Sequence, residues 1–159
     1  MILGPCLLLA NKVLGQPAPP PEVRELVFTE VFYNPPGSTN NGLEFIELRN
    51  PSAVLPRNVG GFYFSDGVDF TFPVGQIMAP REYVVIANDS VEFESAFGVT
   101  AWQWNNSDLS DTGELILLRN AIHQMVDSVV YAADSPWPVD ANGLGASLVL
   151  CVDTLDNSI

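Results

Sequence analysis

Apolar and polar positions alternate along this chain in short stretches, and turn-forming residues interrupt them at close intervals. Residues 25–32 (ELVFTEVF) are rich in β-branched and aromatic side chains and run into Asn34-Pro35-Pro36-Gly37, which breaks a strand. Residues 43–49 (LEFIELR) predict a second strand, with Ile46 and Leu48 toward a core and Glu47 and Arg49 toward water. Residues 61–65 (GFYFS) and 69–72 (DFTF) flank a tight turn at Asp66-Gly67-Val68 and predict two aromatic-rich strands. Residues 82–87 (EYVVIA) are nearly continuously apolar, as expected of a strand covered on both faces. Residues 114–119 (ELILLR) and 126–131 (VDSVVY) predict a hairpin across 120–125, and residues 147–152 (SLVLCV) predict a last strand.

Residues 89–97 (DSVEFESAF) depart from this pattern. Asp89 suits a helix N-cap, with Glu92 placed to reach back in a capping box. Phe93 and Phe97 fall on one helical face, and Gly98 supplies the stop. A helix of about two turns is expected here, connecting two sheets. About eight short strands without βαβ alternation predict an all-β fold, a β-sandwich with one short helix. A small barrel is the alternative.

The N-terminus reads differently. Residues 1–15 (MILGPCLLLANKVLG) form an apolar stretch too short to span a bilayer as a helix, and they fit a signal peptide lacking a basic start. Residues 16–24 carry Pro17, Pro19, Pro20 and Pro21 and predict an extended linker, so the folded domain is expected over 25–159. Export to the extracellular space or cell surface is the expectation that follows. Cys6 lies in the apolar run, so a mature chain would keep Cys151 alone, either as a small buried hydrophobe or as half of a bridge to a cysteine elsewhere.

Hydrophobic residues make up 47% of the chain, which argues against a disordered acidic tail despite a formal net charge of −13. That charge disfavours nucleic acid and anionic membrane surfaces, whose binding needs lysine or arginine. Divalent cations and basic protein surfaces remain compatible with it.

Candidate chemistry is sparse. His123 is the only histidine and sits in the hairpin connection, with no partner pattern for a triad or a zinc site. Glu44 and Glu47, three apart on a strand, point to opposite faces and so cannot form a close acid/base pair. Asp66 and Asp69 flank Gly67, and Asp108 and Asp111 lie in 105–113 (NNSDLSDTG). Both loops offer oxygen ligands for calcium but lack EF-hand spacing, and turn formation by Asp and Asn is the preferred reading of both, so no metal is expected. Trp102, Trp104 and Trp137 suit either sugar stacking or packing. Gly143-Leu144-Gly145 lacks the strand–glycine–helix setting of a phosphate cradle, and no cofactor is expected. Asn88 and Asn105 begin glycosylation acceptor triplets, which matter only in a eukaryotic secretory route.

Several segments, taken in order, resemble the lamin-tail domain family. Residues 27–35 (VFTEVFYNP) are similar to its first strand, 43–50 (LEFIELRN) to its second, and 60–66 (GGFYFSD) to a following aromatic segment, with Phe62 in place of the usual tryptophan. Residues 78–85 (MAPREYVV) resemble the next strand, Arg81 replacing a common glycine and suggesting a different turn. Residues 109–118 (LSDTGELILL), 126–131, Trp137-Pro138 and 140–148 (DANGLGASL) resemble the closing hairpin and strand. The resemblance implies an immunoglobulin-like sandwich, and with the apparent signal it implies the bacterial, exported group. It also implies further sequence beyond Ile159, because the pattern stops short. On this reading the chain is a non-catalytic interaction or anchoring module for an unknown protein or glycan, belonging to a longer protein. Trp102 and Trp104 are the expected binding surface. A carbohydrate-binding domain using exposed tryptophans, or a calcium-dependent adhesion domain, is the alternative.

Overall fold

A computed structural model describes residues 6–7, 24–37 and 41–150. The rest of the apolar N-terminal run, the prolines of the linker and Cys151 lie outside the described residues. Strands β1 (Cys6–Leu7), β2 (Val27–Phe32), β3 (Phe45–Arg49), β7 (Tyr83–Ala87), β8 (Trp102–Gln103) and β11 (Leu148–Leu150) form one sheet in the order β1-β11-β2-β3-β7-β8. A second sheet has β10 (Met125–Ala132), β9 (Gly113–Arg119) and β5 (Tyr63–Asp66) in that order, and β4 (Arg57–Asn58) pairs with β6 (Ile77–Met78). The first two sheets pack on a shared apolar core, so the architecture is an immunoglobulin-like sandwich rather than a single closed barrel.

That core depends on the alternation within each strand. Ile46 and Leu48 of β3 and Val84 and Ile86 of β7 point inward, where they meet Phe64, Ile116, Leu118 and Val129. Burying each such aliphatic side chain contributes about 1.5–3 kcal/mol. In β2 the strict period of two fails. Phe28 pairs with Leu48, but the next paired residues are Glu30 and Glu47, so Thr29 is the extra residue of a bulge. The bulge lets Phe28 and Val31, three apart, both enter the core, and it turns Glu30 and Phe32 to the outer face.

The second of the two expected aromatic strands, residues 69–72, is reduced to a short appendage of β5. Phe64 donates its backbone N–H to Phe70 O at 3.1 Å and Phe72 donates to Phe62 O at 2.8 Å, but only the single bridge Tyr63–Thr71 continues the ladder. The β9–β10 hairpin extends from Met125–Arg119 to Ala132–Gly113. At its base Gly113 has φ 111°, and a Cβ there would collide with Tyr131 O and come within 2.6 Å of Ala132 Cα, so only glycine closes the ladder.

Helix α1 (Ser90–Phe97) begins and ends where its caps place it. The Asp89 carboxylate accepts from the N–H groups of Val91 and Glu92, and Gly98 closes the helix in the left-handed conformation. Glu92 does not complete the box, since the Asp89 N–H donates instead to Gly42 O and the Glu92 carboxylate lies against Gly42. Nor does α1 join two sheets. It links β7 to β8, which run parallel in the same sheet, so the described residues contain a crossover unit that the strand pattern did not suggest. The physical reason is the second apolar face of β7: Val85 and Ala87 need a cover, and Phe93 provides it.

Arg81 adopts φ 63°, the left-handed geometry that a glycine would supply, so the turn before β7 keeps that geometry despite the substitution. Among the described residues, no helix is long and apolar enough to cross a membrane.

Candidate functional site

The two tryptophans expected to form a surface are divided by the fold. Trp104 is 2% exposed, belongs to the core, and donates its indole Nε1–H to Ser107 O at 2.6 Å. Only Trp102, 37% exposed in β8, reaches solvent, and its ring packs beside Phe70 with centroids 6.2 Å apart. A two-tryptophan platform is therefore not formed. The tryptophan indole needs a partner when buried, and the 105–108 turn supplies the carbonyl.

The two aspartate loops do come together at one end of the sandwich. Asn105 donates its N–H to Asp69 O at 2.9 Å, and the Asp69 N–H donates to Ser107 Oγ at 3.1 Å. Asp108 accepts from Asn88 Nδ2 at 2.8 Å, and Asp66 accepts from Ser65 Oγ at 3.1 Å. The loops are held by local hydrogen bonds, and among the described residues no group of three or more acidic, histidine or cysteine side chains is positioned to hold a metal ion. Asp111 is exposed on the turn before β9. His123 is also exposed, at φ 65° in the β9–β10 turn, its Nδ1 at 2.9 Å from the Tyr63 hydroxyl.

Glu44, considered only as one half of a carboxylate pair, is a buried carboxyl within the fold. Its Oε2 accepts from the Leu109 N–H at 2.9 Å and Asn88 Nδ2 at 3.3 Å, while Oε1 is buried without a partner. Burial, reinforced by the charges of Asp108 and Asp111 and opposed by those hydrogen bonds, pushes its pKa up to about 7. Asn88 is engaged by Glu44, Ser107 and Asp108 at once, so its acceptor triplet is structural here.

The most developed surface lies on the outer face of the large sheet, where Glu47 was expected to face water. The register sets a straight row across four strands: Val149 opposite Glu30, Glu30 opposite Glu47, and Glu47 opposite Val85. The adjoining row is Phe32, Phe45 and Ala87. Phe93 and Phe97 of α1 stand over it, their rings within 5.2 and 5.9 Å of Phe45. Glu30, Glu47 and Val85 of the first row and Phe32 and Phe45 of the second, with Phe93, Phe97, Val99, Gly145 and Ser147, line a groove of about 130 Å³. A cavity of about 150 Å³ is enough to admit a benzene-sized group, so this groove takes one side chain rather than a folded partner.

Both glutamates are half-buried. Glu30 accepts from the Ser147 hydroxyl through Oε1, and Glu47 accepts from Thr29 Oγ1 at 2.7 Å through its own Oε1. Burial raises both carboxyls above their ordinary range; the neighbouring Glu47 charge raises Glu30 further, while Arg49 draws Glu47 back down. Arg49 lies two residues along β3 with its guanidinium over the Tyr83 ring, 5.2 Å from the centroid. Like charges directly opposite on paired strands are destabilising. Period-two reasoning could not find this pair, because the two residues meet only through the Thr29 bulge and the β2–β3 register.

The fold is thus that of a small immunoglobulin-like sandwich with a surface groove. Residues 19–133 match the family described as Lamin Tail Domain, and the chain belongs to that family of immunoglobulin-like interaction modules. No curated protein matches the chain.

Proposed function

We propose that the chain is a non-catalytic interaction or anchoring module of an exported or cell-surface bacterial protein. Family membership over residues 19–133 supports the interaction role, and the groove on the outer sheet face is the observation that carries it. The floor of that groove lies on strands β2, β3 and β7 and one wall on helix α1, which favours a fixed recognition surface. Export is supported by the apolar residues 1–15 followed by the proline-rich segment. Further domains of a longer protein would supply the context to be anchored.

Two measurements test this. Fusion of residues 1–159 to a reporter enzyme that is active only outside the cytoplasm should give activity; an inactive, intact fusion refutes export. A photo-crosslinking residue placed at exposed groove-rim positions, such as Val99, should yield discrete adducts in the native host. Their absence from rim positions and from the loop ends alike refutes the interaction role.

A further inference from the structure

The outer-face groove combines two features that a simple packing surface would not carry. Its walls are aromatic, from Phe45, Phe93 and Phe97, and its floor presents Glu30 and Glu47 directly opposite each other. Among the described residues, Ser147 and Thr29 each hold one carboxylate through its Oε1, so hydroxyl groups fix the two glutamates facing each other on the groove floor. Half-buried like charges cost stability unless a cation compensates them. Arg49 stands beside Glu47, so among the described groups of this cluster two carboxylates share one guanidinium.

We propose that this groove receives a basic side chain, lysine or arginine, from a protein partner. The inference rests on the interaction reading above and names its chemistry. The aliphatic stem of such a side chain would lie along the phenylalanine rings, whose faces also favour a cation, while its charged end donates to Glu30 and Glu47. A groove sized for one side chain suits this occupant better than an inserted helix or strand. The chain's net charge of −13 steers basic segments toward it from a distance.

The test is titration calorimetry of the full chain with hexalysine, at moderate salt. Glu30→Gln and Glu47→Gln keep the size of each side chain and a carbonyl oxygen for Ser147 or Thr29, so both should fold, as circular dichroism checks. Each should weaken hexalysine binding about tenfold. Asp134→Asn with Asp140→Asn, exposed residues outside the groove, removes charge without touching it and should change affinity less than twofold. Equal losses in both sets would show general electrostatic attraction and overturn the proposal. So would spermine binding as tightly as hexalysine, because a free polyamine would then be the better occupant. A peptide of diaminopropionate in place of lysine keeps the charge but shortens the stem, and undiminished binding would also refute the groove. If hexalysine fails while crosslinks form elsewhere on the chain, the groove assignment falls and the interaction reading stands; if both fail, both fall.

Discussion

The two faces of the large sheet come from the same strands and have been put to opposite uses. On β3, Ile46 and Leu48 enter a continuous core that joins both sheets, whereas Phe45, Glu47 and Arg49 occupy the other side. The inner face is closed, and Ile46 there is fully buried within a cluster of apolar side chains from both sheets. The outer face is roofed only in part by α1, and the unroofed part carries carboxylates. One strand can serve both ends because successive side chains point to opposite faces, so a chemical requirement on one face leaves the other undisturbed.

The comparison is broken most severely from the inside. Ile46→Ala should cost about 4 kcal/mol, since the side chain is fully buried and its neighbours on two sheets cannot collapse together. Urea denaturation measures it, and a loss under 2 kcal/mol would mean that the inner face is not the closed core described. On the outer face, Phe93→Ala should cost about 2–3 kcal/mol, less than a phenylalanine of a closed core, because the space it vacates adjoins an open groove. A cost equal to or above that of Ile46→Ala would make the outer cluster a second closed core.

A smaller effect distinguishes the buried carboxyl at the sandwich end. The Glu44 pKa is raised in the folded state, so the protonated form is the one the fold favours. Its stabilising contribution is complete below the unfolded value of 4.5 and is lost as pH rises to about 7, after which the curve levels. The loss should amount to about 1–2 kcal/mol once solvent screening is allowed for. Denaturation followed from pH 4 to 8 should show this slope in the native chain and a flatter one in Glu44→Gln. Parallel curves would remove Glu44 as the cause.

The smallest effect is expected at Glu47. Glu47→Gln relieves its opposition to Glu30 and should change stability at pH 7 by no more than about 0.5 kcal/mol, in the stabilising direction. A loss above 1 kcal/mol would show that the carboxylate serves the fold itself and not a partner.

Much of this was legible in the residues. The β9–β10 hairpin, the caps Asp89 and Gly98, and the inward set Ile46 and Leu48 all follow from local rules of period, turn and cap. What escaped depends on pairing between distant segments. The Thr29 bulge reverses the facing of half of β2, and without it Phe28, Glu30 and Phe32 would share one side. Trp104 lies two residues from Trp102, so alternation would put both on one face, but β8 ends at Gln103 and the Ser107 carbonyl holds the Trp104 indole in the core. The parallel placement of β8 was hidden because two residues are too few to announce a strand.

The hydrogen bond between the two sheets at Asp127 bears on how such a module behaves when copies are crowded. Asp127 follows the irregularity at the start of β10, the outermost strand of its sheet, and its Oδ2 accepts the backbone N–H of Phe28 in β2 at 2.8 Å. A foreign strand adding to that margin would meet an inward-turned carboxylate and would have to break a buried, charge-assisted bond before gaining one of its own. The bond thus ties the outermost strand of the smaller sheet to β2 and sets a charge-assisted cost against backbone pairing at that margin.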